Sequence, residues 1–148
     1  MEMIVKQIVG FAATGDLKGL EIGDPWFKAL RVLGPPDGET EGPDDKMYAF
    51  AGVQIGRSRS DVIWYIAIEP AGENVNLPVG LCDSGRGLTP RRDELLAALR
   101  DRGEVVIETQ PYVPDETWWQ VVGSGVLMDF DEDGLLSVVV KDDLALKS

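Results

Sequence analysis

The segment Gly125-Val126-Leu127-Met128-Asp129-Phe130-Asp131-Glu132-Asp133-Gly134-Leu135-Leu136-Ser137-Val138-Val139-Val140 decides the fold. Two runs of β-branched and bulky apolar residues flank the turn-forming Asp131-Glu132-Asp133-Gly134, so it reads as a β-hairpin with strands at 125–130 and 135–140. The same pattern stands 73 residues earlier. Ala51-Gly52-Val53-Gln54-Ile55 lies on Ser124-Gly125-Val126-Leu127-Met128, and Val62 to Ala67 lies on Leu135 to Val140. Self-similarity at a fixed offset is the mark of a repeated supersecondary unit. With two copies, chance and duplication both account for the match, and the half-repeats would be 17–70 and 87–141.

Outward from these hairpins, the remaining elements follow from periodicity and punctuation. Met47 to Ile55 and Val62 to Ile68, separated by polar 56–61, read as a strand hairpin, and two further strands are expected at 104–109 and 117–122. Ile4, Ile8, Phe11 and Ala12 recur at helical spacing, predicting a helix over 2–13 that stops at Thr14-Gly15. Asp24 as cap and Pro25 at the first helical position predict a second helix over 25–33, ended by Gly34-Pro35-Pro36. Thr89 and Pro90 repeat that start ahead of Leu95, Leu96 and Leu99, with Glu94 suited to the positive end of the helix and Arg100 and Arg102 to the negative end before Gly103. The stretch 35–46 carries Asp37, Glu39, Glu41, Asp44 and Asp45 among prolines and glycines, and reads as an exposed acidic loop. Residues 69–87 read as a turn-rich connection. The expected fold is a single α+β domain over 1–148, with helices packed on an antiparallel β-sheet and two degenerate helix-hairpin repeats as the finer reading.

Composition narrows the function. The 148 residues carry 26 acidic and 14 basic side chains, a net charge of −12 and a pI near 4.3. Such a chain repels phosphate backbones and anionic bilayers, so nucleic acid and membrane are poor partners and a basic protein is a good one. The small cationic groupings Arg57/Arg59 and Arg86/Arg91/Arg92 read as solvated surface. The sequence has no histidine and one cysteine, Cys82. The usual base for a serine or cysteine nucleophile is therefore missing, as is the commonest metal ligand, and one thiol builds neither a disulfide framework nor a zinc cage. No catalytic residue, cofactor or metal is expected. The N-terminal ten residues lack the basic-then-apolar pattern of a secretory signal, and no apolar run approaches a bilayer span, so a cytoplasmic protein is expected.

Three local patterns invite a chemical reading. Asp129, Asp131, Asp133 and Gly134 match the first half of a calcium loop, but the twelfth position is Val140 where a bidentate Glu is needed, which favours an acidic hairpin turn. Cys82-Asp83-Ser84-Gly85-Arg86 holds a thiol near a cation with no resolving thiol beside it. Trp118 and Trp119 must point to opposite faces of a strand. Either one is an exposed anchor beside Asp115 and Glu116, or both are buried in a sheet covered on each side. Trp26 and Trp64 read as core.

Leu17-Lys18-Gly19-Leu20-Glu21-Ile22-Gly23-Asp24 followed by Ala29-Leu30-Arg31-Val32-Leu33-Gly34-Pro35-Pro36 resembles the opening of many small bacterial immunity proteins, and Phe130-Asp131-Glu132-Asp133-Gly134-Leu135 looks like the hairpin such proteins carry. Similar openings occur in periplasmic assembly lipoproteins and secreted β-lactamase-inhibitor proteins, whose lipobox or paired cysteines this chain lacks. The resemblance covers under a third of the chain. It implies a cytosolic immunity protein that occludes the active site of a cognate toxin; the chain itself is expected to be a monomer or a homodimer, the latter suiting a scaffold domain that pairs sheet edges. The partner-binding set would be Asp37, Glu39, Glu41, Asp44, Asp45, Asp115, Glu116, Trp118, Trp119, Asp129, Asp131 and Asp133. A non-enzymatic interaction or scaffold domain, and a carboxylate-dependent cation-binding protein or enzyme, are the alternatives.

Overall fold

A computed structural model of the chain describes residues 2–42, 45–81 and 85–147. Among these residues the fold is α+β: helices α1 (Met3–Thr14), α2 (Trp26–Leu33) and α3 (Arg92–Asp101) accompany a large antiparallel sheet. The sheet comprises β1 (Gly38–Glu41), β2 (Asp45–Phe50), β3 (Val53–Ser58), β4 (Ile63–Ile68), β7 (Val106–Thr109), β8 (Trp118–Val121), β9 (Leu127–Phe130) and β10 (Leu136–Asp142). Strands β5 (Asn74–Asn76) and β6 (Arg86–Leu88) pair separately, and a 3-10 turn, Leu144–Leu146, follows β10. No described helix is long and apolar enough to cross a membrane.

Spatial order in the sheet is β1-β2-β3-β4-β10-β9-β8-β7. Two four-stranded meanders thus meet where β4 pairs with β10, with Val139 opposite Ile68 and Val140 opposite Ala67. Because side chains alternate along a strand, each face collects every second residue. The first face supplies Val53, Ile55, Ile66, Ile68, Met128 and Val139 to one buried cluster shared with Ile4, Ile8 and Phe11 of α1, Ala29 and Leu33 of α2, and Leu95 and Leu99 of α3. Burying each such Ile, Leu or Phe contributes about 1.5–3 kcal/mol relative to exposure. The second face carries its own smaller cluster: Ala67, Trp118, Leu127 and Val140, with Tyr65 and Val138 against it.

Several local expectations are corrected. Residues 35–46 are not wholly loop: Gly38 to Glu41 form β1, paired with β2 in register Glu39 to Tyr48 and Glu41 to Lys46. The ladder and the contacts of Glu39 and Glu41 with Lys46 (3.4 and 3.2 Å) compensate for a composition that cannot bury itself. Met47 to Ile55 is two strands, because Ala51 adopts φ +53° and the chain folds back between Phe50 and Val53. Pro25 and Arg91, not Asp24 and Thr89, occupy the helix cap positions. Asp24 instead accepts from the Glu21 N–H at 2.8 Å and pairs with Lys28, while the buried Thr89 hydroxyl donates to Gly72 O at 2.7 Å. The 69–87 connection contains β5 and β6. The helix over 2–13 is α1, ended by Gly15 at φ +75°.

The hairpins β3-β4 and β9-β10 match residue for residue at the offset of 73. Val53 to Gly56 pair with Ile68 to Tyr65; Leu127 to Asp129 pair with Val140 to Val138 on the same diagonal. Both ladders are then bulged at the same point, giving Arg57 opposite Ile63 and Phe130 opposite Leu136. The turns match as well. Ser58 Oγ accepts from the N–H groups of Ser60 and Val62, and Asp131 Oδ1 accepts from those of Asp133 and Leu135. Each turn also receives a helix start: Trp26 N–H donates to Asp61 O and Arg92 N–H to Gly134 O, both at 2.8 Å.

Candidate functional site

The second face of the sheet gathers aromatic and acidic side chains away from the main core. The β4 bulge makes this local arrangement, because an inserted residue turns Trp64 and Tyr65 to one side. Their rings lie 5.3 Å apart. Gly56, opposite Tyr65, makes room: a Cβ there would stand 2.6 Å from Trp64 Nε1 and 2.8 Å from Tyr65 Cβ. Trp64 is buried, and its Nε1 has no hydrogen-bond partner among the described residues. Lys147, beyond the 3-10 turn, places its Nζ 5.1 Å from the centre of the Trp64 ring.

Farther along the face, Trp118 of β8 packs with Leu127 and Val140, and Tyr112 of the β7-β8 connection meets it edge-on at 5.1 Å. Glu116 Oε1 accepts from Trp118 Nε1 at 2.6 Å, fixing the indole. Asp129 of β9 and Asp142 of β10 point to the same side as their alternate neighbours Leu127 and Val140. Partial burial holds the Asp129 carboxyl above its ordinary range, opposed by the Phe130 N–H and reinforced by Glu116. Burial likewise raises Asp142, with Lys141 opposing and Asp143 adding to it. Tyr65 is pushed up to about 12 by burial, then by Glu69, Tyr112 and Asp142. Tyr112 is raised by burial and by Asp142 and Glu116.

Among the described residues none of Glu116, Asp129 and Asp142 is ion-paired, whereas Asp24, Glu39, Glu41, Asp61 and Asp93 are. Uncompensated carboxylates beside aromatic faces favour a cation, through charge and through the ring quadrupole. The phenols of Tyr65 and Tyr112, raised further from neutrality, are poorly suited to proton transfer at neutral pH.

The residues expected to bind a partner do not form one surface. Glu116, Trp118 and Asp129 come together on the second face, with Asp115 exposed beside Glu116. Trp118 is 8% exposed and Trp119 packs partly buried against the main core, so neither is a free anchor. Asp37, Glu39, Glu41 and Asp45 lie at the opposite edge of the sheet on and beside β1. There Asp37 Oδ2 accepts from the Ala51 N–H at 2.6 Å, while Glu39 and Glu41 hold Lys46 and raise its pKa, Glu41 most strongly. Asp44 lies outside the described residues, as does Cys82. Asp131 is spent on its turn, and the Asp133 carbonyl accepts from Arg91 at 3.0 Å. Among the described residues no group of three or more Asp, Glu or Cys is placed to hold a metal ion.

Sequence reasoning missed Tyr65, Tyr112 and Asp142. Two of them were reachable by alternation, since Tyr65 follows the parity of Ala67 and Asp142 that of Val138 and Val140. Arg57, read as solvated, is committed internally: it lies 5.2 Å from the Trp26 ring, donates to Tyr48 Oη at 3.1 Å and pairs with Asp61 at 2.8 Å. No family model matches the chain, and no curated protein and no solved structure matches it.

Proposed function

We propose that this chain is a non-catalytic binding protein for a basic protein, and that the second face of its sheet receives the partner. The observation that carries this reading is the set of carboxylates without an ion pair among the described residues, Glu116, Asp129 and Asp142, framed by Trp64, Tyr65, Tyr112 and Trp118. Of these rings Tyr112 is exposed and Tyr65 half-buried, and tyrosine is frequent at interface hot spots, while the buried tryptophans support the face from beneath. Complementary charge accelerates encounter and excludes wrong partners. In its specific form the protein is a cytoplasmic immunity factor whose acidic face covers the active site of a cognate toxin. The net charge of −12, the absence of histidine and the immunity-protein resemblance support that form. In the same reading the helices cover the first face alone, leaving the second for the partner. The two halves are degenerate copies of one helix-plus-meander unit, supported by the matched registers, bulges and turn bonds.

The test is to mix the purified chain with the basic product of the neighbouring gene and to express both in one cell. A stable complex, with the cells protected from that product, is expected. Absence of both overturns the reading, as does turnover of a substrate that is lost when one of these carboxylates is neutralised.

A further inference from the structure

The two edges of the sheet are built differently. At one edge, β1 is four residues long and exposed and carries two acidic side chains, Glu39 and Glu41, turned toward Lys46 of β2, and such charges discourage a further strand. At the other edge β7 carries one acidic side chain, Glu108, and Ile107 and Val105, the latter just before the strand, are 45% and 61% exposed respectively. The Val122 N–H donates to Val105 O at 2.9 Å, so the ladder with β8 extends to residue 105. Hydrogen-bonded and non-bonded pairs alternate along an antiparallel ladder, which turns the N–H and C=O groups of Val106 and Glu108 outward. The side chains along this edge sort by parity: Glu104 and Glu108 to one side, Val105, Ile107 and Thr109 to the other.

We infer that β7 accepts an extended segment of the partner as a ninth strand, and that this segment alternates cationic and apolar side chains. Cations meet Glu104 and Glu108; apolar side chains meet Val105 and Ile107. The backbone supplies affinity and the alternation supplies register. A second copy of the chain is a poor occupant, because antiparallel self-pairing through the outward groups of Val106 and Glu108 gathers Glu104 and Glu108 of both copies on one face and each chain carries a net charge of −12. The inference rests on the proposal that the partner is a basic protein.

The experiment titrates the chain with two end-blocked peptides of the same composition, reading tryptophan fluorescence and amide hydrogen exchange. In one, acetyl-KVKVKVKV-amide, lysine and valine alternate; in the other, acetyl-KKKKVVVV-amide, they stand in separate blocks. The alternating peptide is expected to bind about tenfold or more tighter than the block peptide and to slow exchange at Val106 and Glu108. Glu108→Gln weakens it severalfold, and Glu108→Pro, which also removes an outward donor, abolishes binding. Should the proline variant fail to fold by circular dichroism, the wild-type exchange data decide alone. Equal binding of the two peptides without slowed exchange overturns the edge inference and leaves the basic-partner reading standing. Binding of neither peptide overturns it too, and complex formation with the neighbouring gene's product then judges the broader reading separately. A dimer of the chain alone that is abolished by Glu108→Pro also overturns it, by showing that a second copy fills the edge.

Discussion

Asp129 and Asp142 are held on the second face at a cost to the folded state. Each is partly removed from water, and each titrates above its ordinary range for that reason first. The native protein therefore binds protons more tightly than the unfolded chain at these two positions, so their contribution to stability is present below the unfolded pKa and is lost as pH rises through the folded one. Asp129→Asn and Asp142→Asn remove that loss. Solvent access screens the effect, so the expected gain at pH 7 is up to about 0.5 kcal/mol for each. It should shrink toward zero near pH 3, where the aspartates are neutral in both states. Urea unfolding of variant and wild type at the two pH values checks this, and an equal difference at both would show that charge burial is not the cause. If the proposed docking of a basic partner holds, each substitution should stabilise the fold and weaken binding together.

At the scale of elements, the paired turns show one backbone solution reached with different residues. Ser58 and Asp131 each accept two N–H bonds from the residues two and four positions on, and the turn residues Asp61 and Gly134 both adopt positive φ, +61° and +83°. Ser58 is buried and Asp131 exposed. Asp131→Ala is expected to cost about 1 kcal/mol, because water replaces the lost acceptor, and Ser58→Ala about 2 kcal/mol, because water cannot easily do so. Denaturant midpoints measure both, and equal losses would show that burial does not set the cost. This equivalence explains what was legible in the sequence and what was not. The 125–140 hairpin, the offset of 73 and all three helices could be read from periodicity, since each follows from spacing within a few residues. β1 was illegible because its strand comes from ladder bonds to β2 and not from apolar alternation. Pro25 and Pro90 misled by one or two positions, because Asp24 O and Pro90 O accept from Ile63 and Leu136 and hold the chain extended into the helix. Of the site, Glu116, Trp118 and Asp129 were found by residue type. Tyr65 and Asp142 escaped because the pairing of β4 with β10, which makes them neighbours, joins distant parts of the chain.

For the whole molecule, a surplus of carboxylates acts at two ranges. In the proposed reading, the net charge of −12 would steer a basic partner from beyond contact, an effect that fades with ionic strength, since screening at physiological salt sets in over about 8 Å. The second face would act at contact, where partly desolvated groups are less screened. The acidic residues of β1 belong to the first kind, already engaged with Lys46. Glu116, Asp129 and Asp142 belong to the second. The most direct measurement is a calorimetric titration at physiological salt of three chains against the basic product of the neighbouring gene: wild type, the Glu116→Gln/Asp129→Asn/Asp142→Asn triple variant, and Glu39→Gln/Glu41→Gln. The account predicts that the triple variant binds about tenfold or more weakly while the β1 variant stays within about threefold of wild type. A triple variant that binds as tightly as wild type would contradict it.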